Sequence, residues 1–358
     1  MGLDSFWGIP LPPHGMGEII SNYDTPYYMV VSQSWYQPET IAKNFEFDLP
    51  LEYYPAHFPL FPFLGYLLKP IITLPYGLLS ASLLFTILTT IMIYYLSLRL
   101  YSDKPALVIA LISLFLPGRW LIVRSLASPE PVFIFFTLMA LWSYLNRQFW
   151  RTGIWGALAQ LTKPPGGLLF VALAIHQLYL HRKHWHQPVK LIQSLWSPLL
   201  ALSLIPVALG GLFAFFAQQT GDFWAYFHSG DNIHLFWPPF QMFSKAAFWV
   251  GTVWLEDIVW LLLITAVGIS LWWQKGKRFS VIACYVTVFW LSLIFVSHRD
   301  LSRYALPIMP LVWLVYAPYL IKKKFLWLVV LLIPLYLYAL NFIAYNTVGI
   351  SNWQPLIR

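Results

Sequence analysis

Four ionisable residues stand where chemistry could be done. Asp24 lies in an aromatic, proline-bearing stretch, Asn22-Tyr23-Asp24-Thr25-Pro26-Tyr27-Tyr28. His57 lies in a second one, Tyr53-Tyr54-Pro55-Ala56-His57-Phe58-Pro59-Leu60-Phe61-Pro62. Lys163 adjoins Pro164-Pro165-Gly166-Gly167 inside an apolar hairpin, a depth at which an ionisable group is costly and usually faces a cavity. Arg303 follows Arg299 at i+4, and with His298 they form a basic patch at the start of an apolar helix. A carboxylate at the mouth of a multi-helix membrane body suits work on a lipid-linked substrate. The reactive head of such a substrate lies at the interface while its tail stays in the bilayer.

Each of these residues also has a purely structural reading. Asp24, two residues before Pro26, is placed to cap an interfacial helix. His57 suits a backbone hydrogen bond in a proline-rich turn, Lys163 suits snorkelling to an interface, and Arg299 with Arg303 suits headgroup contact. Glu130, between Pro129 and Pro131, fits first-turn dipole stabilisation as well as a site role. Glu256 and Asp257 are expected at the wet end of an interfacial helix. The run His181 to His186 reads as basic juxtamembrane residues rather than a metal tract.

The elements that must position these side chains are membrane helices. Apolar residues make up 59% of the 358 and charged residues 10%, with a mean hydropathy of +0.64; roughly a quarter charged is usual for a soluble domain. The 19 Trp and 21 Tyr suit a protein with much interfacial surface. Cys284 is the single cysteine, which excludes an internal disulfide and a thiolate metal cluster. The net charge of +8 does not indicate nucleic acid, because the cations fall in short clusters between apolar runs.

Apolar stretches of spanning length occur at about 76–98, 129–146, 191–217, 246–273, 279–297, 304–321 and 325–345. Shorter ones occur at about 105–117, 153–161 and 167–180. The expected fold is an all-α polytopic membrane bundle of about nine to ten apolar segments, some broken or re-entrant. Five clusters, Arg99/Lys104, Arg147/Arg151, Arg182/Lys183/Lys190, Lys275/Lys277/Arg278 and Lys322/Lys323/Lys324, hold 13 of the 22 Lys and Arg. All fall on one side if each long span crosses once and 153–161 with 167–180 dips in and returns, and the positive-inside rule makes that side cytoplasmic. Residues 1–60 carry seven acidic groups against Lys43 alone, so they are expected outside, with the loop 218–244 and its Asp222 and Asp231. The chain divides into an extracytoplasmic acidic and aromatic segment with interfacial helices (1–75), a transmembrane bundle (76–345) and a C-terminal tail (346–358). Residues 1–20 hold Asp4, Glu18, three Pro and four Gly without an adequate apolar core, so no signal peptide is expected.

The order of motifs resembles a known superfamily. An acidic residue in the first outer loop is followed by Phe58-Pro59-Leu60-Phe61-Pro62, then by Ser125-Leu126-Ala127-Ser128-Pro129-Glu130-Pro131 opening a helix. A broken hairpin at Gly156 to Gly167, an outer Gly221-Asp222-Phe223-Trp224-Ala225 and Ser302-Arg303-Tyr304-Ala305-Leu306-Pro307 complete the series. Together they resemble the GT-C membrane glycosyltransferases, most closely the GPI mannosyltransferase II (PIG-V-like) branch and its prokaryotic relatives, from about residue 20 onward. One departure is that those families carry a transmembrane helix ahead of the acidic loop, and none is read here.

The resemblance implies transfer of a sugar, mannose in that branch, from a polyprenyl-phosphate donor to an extracytoplasmic lipid or glycan acceptor, with inversion. For that chemistry the candidates are Asp24 as general base, Lys163, Arg303 and Arg299 on the donor phosphate, and His57, Tyr54, Glu130 and Tyr304 as substrate contacts, the resemblance favouring Arg303 in particular. The location implied is an integral membrane protein of a prokaryotic plasma membrane, or of the ER in a eukaryote. No cofactor is expected, since neither a nucleotide-binding glycine loop nor clustered acidic or His metal ligands occur. A transporter or flippase of lipid-linked sugars is the competing class; internal pseudo-repeats would favour it, and none is found. A non-catalytic subunit of a glycan-assembly complex is the third.

Overall fold

Proline and glycine decide where the helices of this chain start and how closely they pack. In the computed structural model, which describes residues 5–6, 8–10, 15–47, 49–230, 235–252, 254–327, 330 and 332–357, a proline occupies the first turn of many helices. Pro26 begins Thr25–Ser34, Pro75 begins Leu74–Ser97, Pro131 begins Glu130–Leu145 and Pro310 begins Met309–Val315. The missing N–H costs nothing at that position, and the fixed φ is already helical. The described residues are mostly helical, and their strands amount to one two-residue pair, Ser5–Phe6 with Ile9–Pro10.

Two described helices, Leu74–Ser97 and Leu255–Gln274, are long and apolar enough to cross a membrane. The expected span 191–217 is a pair, Pro188–Leu202 and Leu204–Thr220, bent by 41° at the break, and counts as a third if taken together. The apolar helices Glu130–Leu145, Gly166–Leu180 and Leu332–Tyr345 are shorter. The stretch 304–321, read as one helix, is three short pieces, Leu301–Tyr304, Met309–Val315 and Ala317–Leu320. Pro307, Pro310 and Pro318 interrupt it, and proline disfavours helix in the residue before it. The stretch 246–273 is helical only from Trp254. Residues 328, 329 and 331 of the expected span 325–345, like Asp4 and Asp231, lie outside the described residues.

Leu74–Ser97, Glu130–Leu145, Phe149–Thr162 and Leu204–Thr220 pack in sequence order, while Gly166–Leu180 lies against Ser280–Leu293. The hairpin of Phe149–Thr162 and Gly166–Leu180 turns at Lys163-Pro164-Pro165. The turn is tight enough that a Cβ on Gly166 would lie 2.4 Å from the Gln160 Cα. Residues 343–356 are tied to the N-terminal part of the chain. This segment pairs antiparallel at Thr347 with Asn22, Asn22 donates from Nδ2 to the Ile343 carbonyl at 2.7 Å, and Gln33 donates to the Pro355 carbonyl at 2.6 Å. The strand-like clamp therefore holds the chain immediately ahead of Asp24.

Glycine also sets the approach of Phe149–Thr162 to the bent pair. A Cβ on Gly153 would lie 2.0 Å from the Ala201 carbonyl oxygen, a backbone atom that cannot swing aside. Gly153→Ala should lower stability by about 1–3 kcal/mol, as overpacking does. Gly210, inside Leu204–Thr220 with nothing within 4 Å of its Cβ position, should by contrast tolerate alanine or gain from its helix propensity. Thermal denaturation of the two variants in detergent checks the contrast; equal midpoints would mean that the helices do not approach as described.

Candidate active site

Four of the helix ends meet at one level of the bundle, and each brings an ionisable side chain. Glu130 is the first residue of Glu130–Leu145, Lys163 follows the last residue of Phe149–Thr162, Asp24 precedes Thr25–Ser34, and Arg303 lies in the single turn Leu301–Tyr304. Lys163 Nζ donates to Glu130 Oε1 at 2.6 Å, and Arg303 Nε donates to the same oxygen at 2.7 Å. Arg303 Nη2 reaches Asp24 Oδ2 at 3.1 Å. The second Glu130 oxygen accepts from the Ser128 hydroxyl. Thus two cations and two carboxylates form a neutral set in which every member is paired and both Glu130 oxygens are hydrogen-bonded, the condition under which buried charge is tolerated.

Asp24 occupies the N-cap position of its helix, but its side chain makes no capping hydrogen bond. It turns to Arg303 instead. The helix is tied down by another route, the Thr25 hydroxyl donating to the Ala127 carbonyl at 2.8 Å, next to the Ser128-Pro129-Glu130 turn. Burial pushes the Asp24 carboxyl up, and the Arg303 guanidinium with His57 outweighs it, holding the group below its ordinary 3.8. Asp24 is therefore a carboxylate at neutral pH, able to accept a proton.

A cavity of about 70 Å³ opens on this set, lined among others by Asp24, His57, Lys163, Arg303 and Tyr304. An apolar pocket of about 170 Å³, with Leu168, Phe289, Leu293 and Val296 in its wall, shares Pro164, Tyr226 and Tyr304 with it. The cavity itself has roughly two waters' worth of volume.

Of the residues singled out in the sequence, Asp24, His57, Lys163, Arg303 and Tyr304 line this cavity, and Glu130 binds the two cations from beneath. Tyr54 does not line it. It is buried behind Tyr27 and Tyr53, and burial, with a smaller contribution from Tyr27, pushes its phenol up to about 12. Arg299 does not line the cavity either. It is exposed over the Phe248 ring, 5.7 Å from its centroid, because it lies ahead of the turn that begins at Leu301 and shares no helix face with Arg303. Asp222 pairs with His228 at 2.6 Å away from the set, and that hydrogen bond holds its carboxyl low. Glu256 and Asp257 are exposed in the first turn of Trp254–Gln274.

A second layer was not legible. Tyr23, in a left-handed conformation (φ +49°) that is uncommon outside glycine, sets its ring 4.3 Å from the Arg303 guanidinium carbon. Its phenol accepts a hydrogen bond from Arg119 Nη1 at 2.7 Å, and Arg119 Nη2 lies 3.7 Å from Asp300. Arg119 is buried. Its only signal was a lone arginine beside Pro117-Gly118 after an apolar run. Among the described residues no group of three or more His, Cys, Asp or Glu could hold a metal ion.

No protein-family model matches the chain, and no curated protein matches it in sequence. Among solved structures it is similar to the Archaeoglobus fulgidus oligosaccharyltransferase in complex with zinc and sulfate, at a TM-score of 0.44 and 14% identity, over 99% of this chain and 52% of that one. This chain thus spans about half the length of that structure, and so remote a likeness does not say which reaction a site performs.

Glu130 carries two cations on one oxygen, so its loss should be felt most. Glu130→Gln should cost about 3–5 kcal/mol, the range for breaking a buried ion pair, and more than Lys163→Met or Asp24→Asn, each of which leaves Arg303 with a carboxylate. The Asp24 pKa is depressed on folding, so its contribution is present above about pH 4 and lost as pH falls through the folded value. Denaturation midpoints against pH check both points. Asp24→Asn should flatten the acid limb, and an unchanged Glu130→Gln midpoint would refute the shared-oxygen arrangement.

Proposed function

We propose that the chain is a membrane glycosyltransferase of the GT-C kind, moving a sugar from a polyprenyl-phosphate donor to a hydroxyl of a lipid or glycan acceptor. The observation that carries this reading is the cavity that presents a carboxylate and two cations at the edge of an apolar pocket. That combination matches a donor with an anionic head and a hydrocarbon tail. Lys163 and Arg303 would take the phosphate, Arg303 through its planar fork, and the first tail units would lie along Phe289, Leu293 and Val296. Among the candidate sugars we favour mannose, on the motif series alone.

Asp24 takes the proton of the acceptor hydroxyl as the oxygen bonds to the anomeric carbon. The bond from that carbon to the phosphate oxygen breaks, and the polyprenyl phosphate leaves with the electron pair. Lys163 and Arg303 stabilise the charge it gains, more strongly where water is excluded. Attack opposite the phosphate inverts the anomeric centre. A phosphate that draws Arg303 away from Asp24 also removes the main influence holding that carboxyl low, so donor binding raises the basicity of Asp24.

Two experiments test the reading. In a donor-saturated assay with polyprenyl-phosphate mannose and extracted lipid or glycan acceptors, Asp24→Asn should slow transfer on the order of 100- to 10,000-fold, the usual worth of general-base help. Its melting temperature should fall less than that of Glu130→Gln, since Arg303 retains Glu130, so the rate loss should far exceed any loss of folded protein. Arg303→Lys should lower the rate despite the conserved charge, and Arg303→Ala more so. Full activity of Asp24→Asn would remove the residue from the mechanism.

Residues 1–60 and the loop 218–244 face the outside in this proposal, and the five basic clusters face the cytoplasm. Exposed positions 44, 228 and 183 report on this when Asn44→Cys, His228→Cys and Lys183→Cys are each made in a Cys284→Ser background. An impermeant thiol reagent should label the first two in intact cells and miss the third. Labelling of the third alone would invert the topology.

A further inference from the structure

The end of the bundle remote from Asp24 holds a second polar feature that the proposed transfer does not use. From Glu130 to Tyr144, fourteen residues along one helix, the chain travels about 21 Å at 1.5 Å per residue. There a cleft of about 830 Å³ opens, its wall including Tyr144, Arg147, His176, His181, Lys277 and Arg278. None of the residues lining it is acidic. Among the described residues no carboxylate lies within 4 Å of Arg147, Lys277 or Arg278. The contrast with the Asp24 end is sharp, since Lys163 and Arg303 are there matched by carboxylates.

Helix dipoles do not account for the sign of this charge. Lys277 and Arg278 stand in the turn Lys277–Phe279, directly ahead of Ser280–Leu293. A helix N-terminus already carries partial positive charge and unsatisfied N–H groups, so cations there are in the wrong place for the dipole. An anion between them would satisfy both. The wall is also held in place from behind. The Ser280 hydroxyl donates to the Lys277 carbonyl at 2.7 Å, so it accepts from His176 Nε2 at 2.8 Å. His176 Nδ1 is then the acceptor for the Tyr144 hydroxyl, also at 2.8 Å. His176 is 4% exposed. This relay, from Tyr144 through His176 and Ser280 to the Lys277 backbone, fixes the segment that bears the two cations.

We propose that the cleft binds a phosphate group, carried either by an anionic lipid headgroup or by a free phosphorylated molecule. Arg147 and Arg278 offer planar forks for its oxygens and Lys277 a point charge. The site would be separate from the donor site and on the opposite face of the membrane.

The test uses the full chain. Inorganic phosphate and glycerol 3-phosphate are titrated against protein in detergent, and nanodiscs of phosphatidylglycerol in phosphatidylcholine are compared with phosphatidylcholine alone. Binding and the thermal midpoint are the readouts. The parent should be stabilised by at least one phosphate probe. The triple variant Arg147→Gln, Lys277→Gln, Arg278→Gln should bind it at least about tenfold more weakly, a modest expectation for three charge-assisted contacts. A second triple on the same face, Arg151→Gln, Lys183→Gln, Lys190→Gln, should change binding less than about threefold, since none of its residues lines the cleft. A response to phosphatidylglycerol alone assigns the site to a headgroup; a response to the soluble phosphates as well assigns it to phosphate itself. No response to any probe, or equal loss in the two triples, overturns the proposal. If the cleft triple lowers the midpoint without ligand, Arg278→Gln alone decides, and full affinity in that variant counts against the site.

Discussion

The Glu130 carboxylate is the interaction on which the rest of this structure depends. At 1% side-chain exposure it could not stay ionised without partners, and one of its oxygens holds both Lys163 and Arg303. Those partners are distant in sequence, so the pairing sets the relative height of three chain segments inside the bundle. The helix geometry agrees with the charges. Glu130 begins a helix, Lys163 ends one and Asp24 precedes one, so each sign sits at the end that favours it. Local electrostatics, pairing and chain path therefore point to the same arrangement, which is what a well-specified site requires.

The backbone around the set is irregular for the same reason. Prolines on both sides of Glu130 and after Lys163, and the broken run from Leu301 to Leu320, stop helices where side chains must converge. In a membrane such breaks are tolerated where freed backbone groups meet protein rather than lipid. The clamp of residues 343–348 on Asn22 and Tyr23 supplies such partners, the Val348 N–H reaching the Ser21 carbonyl at 2.7 Å. Long uninterrupted helices are left to segments that carry no site residue, Leu74–Ser97 and Leu255–Gln274.

This division explains what the sequence could and could not tell. Lys163 and Asp24 were legible because a charge beside prolines in apolar surroundings has few cheap explanations. Arg303 was legible for the same reason, but Arg299 was not separable from it, because i+4 spacing places two residues together only if both are helical. Tyr23 depends on a left-handed backbone that tyrosine does not advertise, and the C-terminal clamp works through main-chain groups that every residue has. Hydropathy read 304–321 as one helix because apolar composition says where a segment can be buried. It does not say where three prolines will divide it.

Exposure grades the set in a way that separates structure from chemistry. The side chains of Glu130, Arg303, Lys163 and Asp24 are 1%, 7%, 14% and 30% exposed. The most buried member has the most hydrogen-bond partners, and the most exposed has the longest single contact, 3.1 Å to Arg303. A group that must exchange a proton with a substrate needs access and a partner it can release, whereas a group that only orders cations needs neither. In the proposed transfer Glu130 takes the second part and Asp24 the first. Arg303, bound to both, links the buried carboxylate to the exposed one, so any anion that engages it acts on Asp24 through one shared side chain.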